Sequence, residues 1–405
     1  MMPVINAKRL IERLHALGQT GRHEGTLTRL AAGDADKAGR DLLCAWMQEA
    51  GLEIGIDRIG NIIGRWDPDG VSGAPVVMGS HIDTVIDAGI YDGCYGVLSG
   101  LSVIEALKGS GTRIGRPIAV VAFTNEEGVR FAPDMMGSLV VAGGLETDGA
   151  LATVGTDGET LGNELRRIGY AGQLDPMDLR PHAYVELHVE QGPVLEAEGV
   201  NLGAVDTLQG ISWQRIVIDG TANHAGTTPM RLRLDAGVAA AQITAALDGL
   251  ARAMPGAVAT VGTMRFVPNA INVIPSRATF TVDLRHPDEA RLQQLEQDLA
   301  LLLDGLRANG YLVSAERLAR FEPVLFDQDI VEKIETAATA RQIGCRRMTS
   351  GAGHDAQMMA RVCPSAMLFV PSKGGISHNP QEFTEERDLI AGAEVLMDVV
   401  RGLCA

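Results

Sequence analysis

Four of the nine histidines in this 405-residue chain, His81, His188, His224 and His378, stand in Gly-rich or acidic segments beside apolar, strand-like runs. The carboxyl ends of strands are where open α/β sheets gather their ligands. In GSHIDT (79–84) and YDG (91–93), His81 ends one such run and Asp92 opens a Gly-rich helical segment. An imidazole and a hard carboxylate converging from two loops form a mixed N/O set that suits zinc, manganese or cobalt. Asp83, two residues beyond His81, is placed to accept the second imidazole N–H and select its tautomer. A capping Asp beside a hydrogen-bonded His is the structural alternative.

TNEEG (124–128) follows the apolar run PIAVVAF (117–123). Adjacent carboxylates at the end of a buried strand are costly unless positive charge lies beside them. One of the pair, Glu126 or Glu127, can hold a metal while the other serves as general base; an N-cap pair is the alternative. In AYVELHVEQG (183–192), alternation puts Glu186, His188 and Glu190 on one side of a strand, with Gln191 at its end. His378 lies in the polar loop SKGGISHNPQE (372–382). Singly, His188 reads as a core residue and His378 as a loop residue. Jointly, His81, Asp92, Glu127, His188 and His378 supply three imidazoles and two carboxylates to one expected sheet edge. That is a two-metal set, with one bridging carboxylate and two further ligands per ion.

The elements that must position these residues follow from periodicity. Helical spacing over 38–50 and 97–107 alternates with strand-like runs at 52–56, 61–65, 74–79 and 117–123, which predicts a largely parallel sheet with helices on both faces. From about Gly210 the pattern becomes strand (211–219), helix (235–253), two strands (257–266, 278–284), helix (289–309) and strand (311–315). This βαββαβ order predicts a ferredoxin-like insert at 210–326 interrupting a discontinuous catalytic domain, 1–209 with 327–405.

Composition narrows the function classes. The net charge of −16 with no Lys/Arg cluster argues against nucleic acid, which needs a basic footprint. No apolar run reaches about 18 residues, so no membrane span is expected, and the N-terminus reads as an amphipathic helix rather than a signal peptide. A cytoplasmic setting is the expectation. Five scattered cysteines without a CxxC pair fit reduced, structural thiols.

Nine segments together resemble the zinc-dependent amidohydrolases of the M20 metallopeptidase type, specifically the hydantoinase/carbamoylase branch. They are GSHIDT (79–84), YDGCYGVLSGL (91–101), FTNEEGVRF (123–131), ELHVEQG (186–192), HAGTTPM (224–230), NAINVIP (269–275), DLR (283–285), SGAGHDA (350–356) and SKGGISHNPQE (372–382). The branch holds N-carbamoyl-L-amino acid hydrolases, β-ureidopropionases and allantoate amidohydrolases. The resemblance implies an α/β fold: a mixed-sheet, di-zinc aminopeptidase-like catalytic domain with an inserted ferredoxin-like α+β dimerisation and lid domain. It implies two divalent ions per subunit, zinc in the first instance with manganese, cobalt or nickel as alternatives. Asp92 becomes the bridging ligand, His81 and His188 the other ligands of one ion, and Glu127 and His378 those of the second. Glu126 becomes the general base, with Asp83 beside it.

In the smaller domain the resemblance assigns His224 to the oxyanion, reaching the active site of the other subunit of a homodimer, and Asn272 and Arg285 to the substrate. Arg285 grips a carboxylate with its bidentate fork. Gln191 lies beside the ureido group, and Gly353 and His354 near the substrate's polar end. The implied reaction is hydrolysis of a small anionic ureido acid to amino acid, CO2 and ammonia. Because the chain is acidic, attraction of that anion is local, from Arg285 and the metals. An allantoate or acylamide hydrolase is the nearest alternative, then a di-zinc dipeptidase; an inactive binding protein has no use for Glu126. The chain departs from other members of the branch at Gly128–Arg130 and Met136–Leu139, and residues 135–139 are expected to shape the substrate side-chain pocket.

Overall fold

The computed structural model describes residues 2–68 and 70–405. The chain divides into two units, one formed by the residues up to Asp206 together with Phe326–Ala405, the other by Thr207–Leu325.

Four runs, Val76–His81, Ile118–Phe123, Ala183–Val189 and Ser365–Val370, are buried along their whole length. Continuous burial of Val, Ile and Leu on both faces is the mark of parallel strands, and each such side chain contributes about 1.5–3 kcal/mol relative to exposure. They form the parallel centre of a nine-stranded sheet. From one edge its order is Val324–Leu325, Leu202–Leu208, Ser365–Val370, Ala183–Val189, Val76–His81, Ile118–Phe123, Ile62–Trp66 and Glu53–Ile56, with Cys345–Ser350 pairing on Leu202–Leu208. The flanking pairs are antiparallel, so the sheet is mixed, as the resemblance implied, and not the largely parallel one that periodicity alone predicts. The link 57–61 between the last two strands is too short for a crossover and can close only a hairpin. The helix Cys94–Ser110 packs on three of the parallel strands and against the C-terminal helix Glu386–Leu403. Among the described residues, no helix is long and apolar enough to cross a membrane.

The smaller unit runs Gly210–Asp219, helix Ala236–Ala253, Val258–Val267, Arg277–His286, helix Glu289–Ala308 and Leu312–Phe321. Its four strands pair only antiparallel, in the order second, third, first, fourth, which is the ferredoxin-like arrangement. Asp235 and Asp288 start the helices by accepting backbone N–H groups of the first turn. The period-two pattern of Arg277–His286 sends Ala278, Phe280, Val282 and Leu284 into one core with Leu292, Leu295, Leu299 and Leu303. The alternate residues, Asp283 and Arg285 among them, face the other side.

Candidate metal centre

The carboxyl ends of the four parallel strands converge on one point. His81 is the last residue of its strand, TNEEG directly follows Phe123, His188 is the penultimate residue of its strand, and His378 lies in the loop after Val370. Asp92 enters from the turn before Cys94–Ser110. That turn needs Gly93: its φ is +64°, and a Cβ there would lie 2.5 Å from the His81 ring.

Asp92 occupies the middle. Its Oδ1 is 3.6 Å from His81 Nε2 and 3.2 Å from His188 Nε2, while its Oδ2 is 3.2 Å from His378 Nε2. Glu127 Oε2 lies 3.7 Å from His378 Nε2, and Glu126 Oε2 is 3.3 Å from His81 Nε2. One carboxylate thus faces two separate ligand sets, His81 with His188 and Glu127 with His378. The far ring nitrogens are spent on backbone carbonyls, His81 Nδ1 on Asp83 O at 2.9 Å and His188 Nδ1 on Val189 O at 2.8 Å. This selects the tautomer that presents Nε2 to the cluster.

Asp83 therefore acts differently from expectation. Its backbone carbonyl, not its carboxylate, meets His81; the carboxylate is 3.9 Å from that nitrogen. The loop turns after the strand end so that the carboxylate faces the neighbouring loop. There it accepts the N–H groups of Glu126 and Glu127 at 3.2 and 3.3 Å.

The electrostatics fit divalent cations. Burial opposes ionisation of Asp92, yet the surrounding imidazoles, His188 first, hold it well below the usual carboxylate range. Burial opposes protonation of His81, but Glu126, Asp92 and their neighbours push its pKa well up. Burial, only partly offset by His81, raises Glu126 well above an ordinary glutamate. The carboxylates that raise His81, and the ionised Asp92 among the imidazoles, are equally suited to a metal ion. Glu127 Oε1 and Gln191 Oε1 are buried with no hydrogen-bond partner, so acceptor capacity remains for a cation or substrate.

The expected substrate contacts divide between the units. Gln191, Gly353 and His354 line a cavity of about 170 Å³ with Asp92, Glu126, Glu127, Asp134, Ala352 and His378. Gln191 Nε2 donates to Asp92 Oδ2 at 2.8 Å. The His354 ring lies 4.5 Å from that of His188, and its buried Nε2 has no partner. His224, Asn272 and Arg285 belong to the smaller unit. His224 is exposed, and its Nδ1 accepts the N–H groups of Gly226 and Thr227 at 3.0 and 3.2 Å, turning Nε2 outward. Asn272 is exposed beside it, its carbonyl accepting Ala225 N–H at 3.0 Å. Arg285 is bonded to Asp283, at 2.9 Å from Nη2.

Three groups escaped the sequence reading. Glu382 accepts the Tyr91 and Asp92 amides at 2.9 and 3.2 Å and the Ser377 hydroxyl at 2.9 Å, tying the Asp92 turn to the His378 loop. Arg40, fully buried and paired with Asp36 at 2.7 Å, donates to Thr124 Oγ1 at the root of the glutamate loop. Asp134 lines the cavity. The match to SKGGISHNPQE carried a signal for Glu382; nothing in local pattern marked the other two.

Mixed sheet and cluster together fit a hydrolase with a binuclear metal site. The chain belongs to peptidase family M20/M25/M40, whose profile matches residues 77–402. It is 40% identical over 405 residues to an N-carbamoyl-L-amino-acid amidohydrolase of Rhizobium meliloti, covering 98% of this chain and 96% of the relative. It is 36% identical over 358 residues to an allantoate amidohydrolase of Bacillus subtilis, 87% of each chain. The crystal structure of a hydantoinase/carbamoylase family amidase from Burkholderia multivorans superposes with a TM-score of 0.96 at 41% identity, over 100% of this chain and 98% of that one. Within M20, the chain is one of the hydantoinase/carbamoylase amidases.

Proposed function

We propose that the protein hydrolyses a ureido C–N bond of a small anionic ureido acid, an N-carbamoyl-L-amino acid in the first instance, giving amino acid, CO2 and ammonia. The observation that carries this reading is the shared position of Asp92, one oxygen toward His81 and His188 and the other toward His378, with Glu126 beside it. His81, His188 and Asp92 would hold one divalent ion and Asp92, Glu127 and His378 a second, with zinc the expected metal. When bound, such a pair supplies Lewis-acid polarisation of the carbonyl and a lowered pKa for the attacking water.

The chain's own groups do the rest. Glu126 takes the proton of the attacking water as its oxygen bonds to the ureido carbon, and the carbonyl π pair moves onto oxygen. As that pair returns, the C–N bond breaks and Glu126 passes the proton to the departing nitrogen. The carbamic acid half then loses CO2. Asp83 holds the Glu126 and Glu127 amides and so fixes the base relative to the ligands. Gln191, Gly353 and His354 contact the ureido end, while Asn272 and Arg285 bind the carboxylate. His224 of the partner subunit donates to the oxyanion, in a homodimer formed through the smaller unit. A cytoplasmic setting completes the reading.

The allantoate alternative keeps the same metal chemistry and is supported by the 36% identical relative named for that substrate. Chelation followed by zinc or manganese add-back, with ammonia release from N-carbamoyl amino acids and allantoate as readout, tests the proposal. Activity should vanish and return with metal; full activity in metal-free protein overturns it.

A further inference from the structure

Asp134 is the one group in the cavity whose charge the metal chemistry does not use. Of the four carboxylates lining that cavity, Asp92, Glu126 and Glu127 each lie within ion-pair distance of an imidazole. Asp134 does not: among the described residues, the hydrogen-bonding group at its carboxylate is its own backbone N–H. The nearest arginine in sequence, Arg130, is already paired with Asp157 at 2.7 Å and Glu164 at 2.6 Å.

The segment that carries Asp134 is held firmly to the loop that carries Glu126. Met135 N–H donates to Glu126 O at 2.7 Å, and Asn125 Nδ2 donates to Phe131 O and Pro133 O at 2.8 and 3.2 Å. Gly128, at φ +67°, packs so closely that a Cβ there would lie 2.8 Å from Asp134 Cα. The backbone of Asp134 therefore stands in a fixed relation to the general base, and its side chain is exposed at the rim of the cavity. The cavity, at about 170 Å³, is smaller than the roughly 300–1,000 Å³ that encloses a whole drug-sized ligand. It receives the reacting group and the substituent next to it.

We infer that Asp134 is a specificity-determining residue: it selects substrates whose substituent beside the scissile nitrogen carries N–H donors, an ammonium or a second ureido group, over aliphatic ones. This rests on the ureido-hydrolase reading above. A carboxylate exposed at the rim gains a partner when a donor docks beside it and gains nothing from a methylene chain, a modest preference because water serves the carboxylate in the second case.

The test compares kcat/KM for N-carbamoyl-L-lysine, allantoate and N-carbamoyl-L-norleucine in the wild type, Asp134→Asn and Asp134→Leu, all metal-loaded. The wild type should favour at least one donor-bearing substrate over the norleucine derivative by about two- to fivefold, and Asp134→Leu should bring that ratio close to one. Asp134→Asn, which keeps an acceptor oxygen without the charge, separates the two sources: loss of the lysine preference assigns an ammonium, retention of the allantoate preference a ureido group. Ratios that are the same in all three proteins overturn the inference while leaving the ureido-hydrolase reading intact. A wild type that hydrolyses none of the three overturns that reading and the inference with it.

Discussion

The two units carry their candidate functional groups in opposite ways. In the larger unit His81, Asp92, Glu126 and His188 are all buried, meet one another within 3.2–3.6 Å, and are oriented by backbone carbonyls and amides at strand ends. In the smaller unit His224 and Asn272 are exposed on paired loops, and Arg285 is bonded to a side chain two residues away. Burial makes the first group costly to assemble without cations and rigid once assembled. Exposure makes the second group cheap to carry and easy to reorient. The lesson is a division of character: the cluster that could hold metal is built into the sheet, and the candidate groups of the smaller unit are carried on its surface.

That contrast breaks most decisively at Asp92. Asp92→Ala should lose both ions and all measurable ammonia release; a variant that retains two ions by elemental analysis ends the bridging assignment. Next, Glu126→Gln should keep its full metal content while kcat falls about 10²–10⁴-fold, and unchanged turnover removes Glu126 from the mechanism. Arg285→Lys should leave metal content and Tm as in the wild type but lower kcat/KM about 10- to 100-fold, chiefly through KM. A change in metal content there would erase the distinction between the units. Smallest is the gain from mixing His224→Ala with Asp92→Ala: verified heterodimers should regain a fraction of wild-type activity by pairing intact halves. No regain argues against a role for His224 of the partner subunit.

Much of the larger unit was legible because buried parallel strands read as unbroken apolar runs, and PIAVVAF shows this plainly. Its antiparallel flanks came only through the resemblance and not through periodicity, since edge direction depends on how short a link is rather than on which residues it joins. The βαββαβ order of the smaller unit was legible from the switch between helical and alternating periods. Within the site, residue type and strand-end position were enough to group His81, Asp92, Glu127, His188 and His378. Asp83 was found at the right place with the wrong atom, because spacing does not say whether a carbonyl or a carboxylate faces a ring. Arg40 was missed because it reaches Thr124 across 84 residues of sequence, and Asp134 because a lone aspartate between Pro and Met carries no motif.

The chain therefore encodes the kind and order of its candidate ligands directly, through short-range chemistry: a histidine that ends an apolar run, an aspartate before a glycine that must take positive φ, paired glutamates after a strand. Packing decides which oxygen of Asp92 faces which imidazole, which nitrogen each histidine presents, and which carboxylate is left without a cation. Those outcomes depend on distances between groups as far apart as Tyr91 and Glu382, 291 residues from one another in sequence, and only the folded chain brings such groups within hydrogen-bond reach.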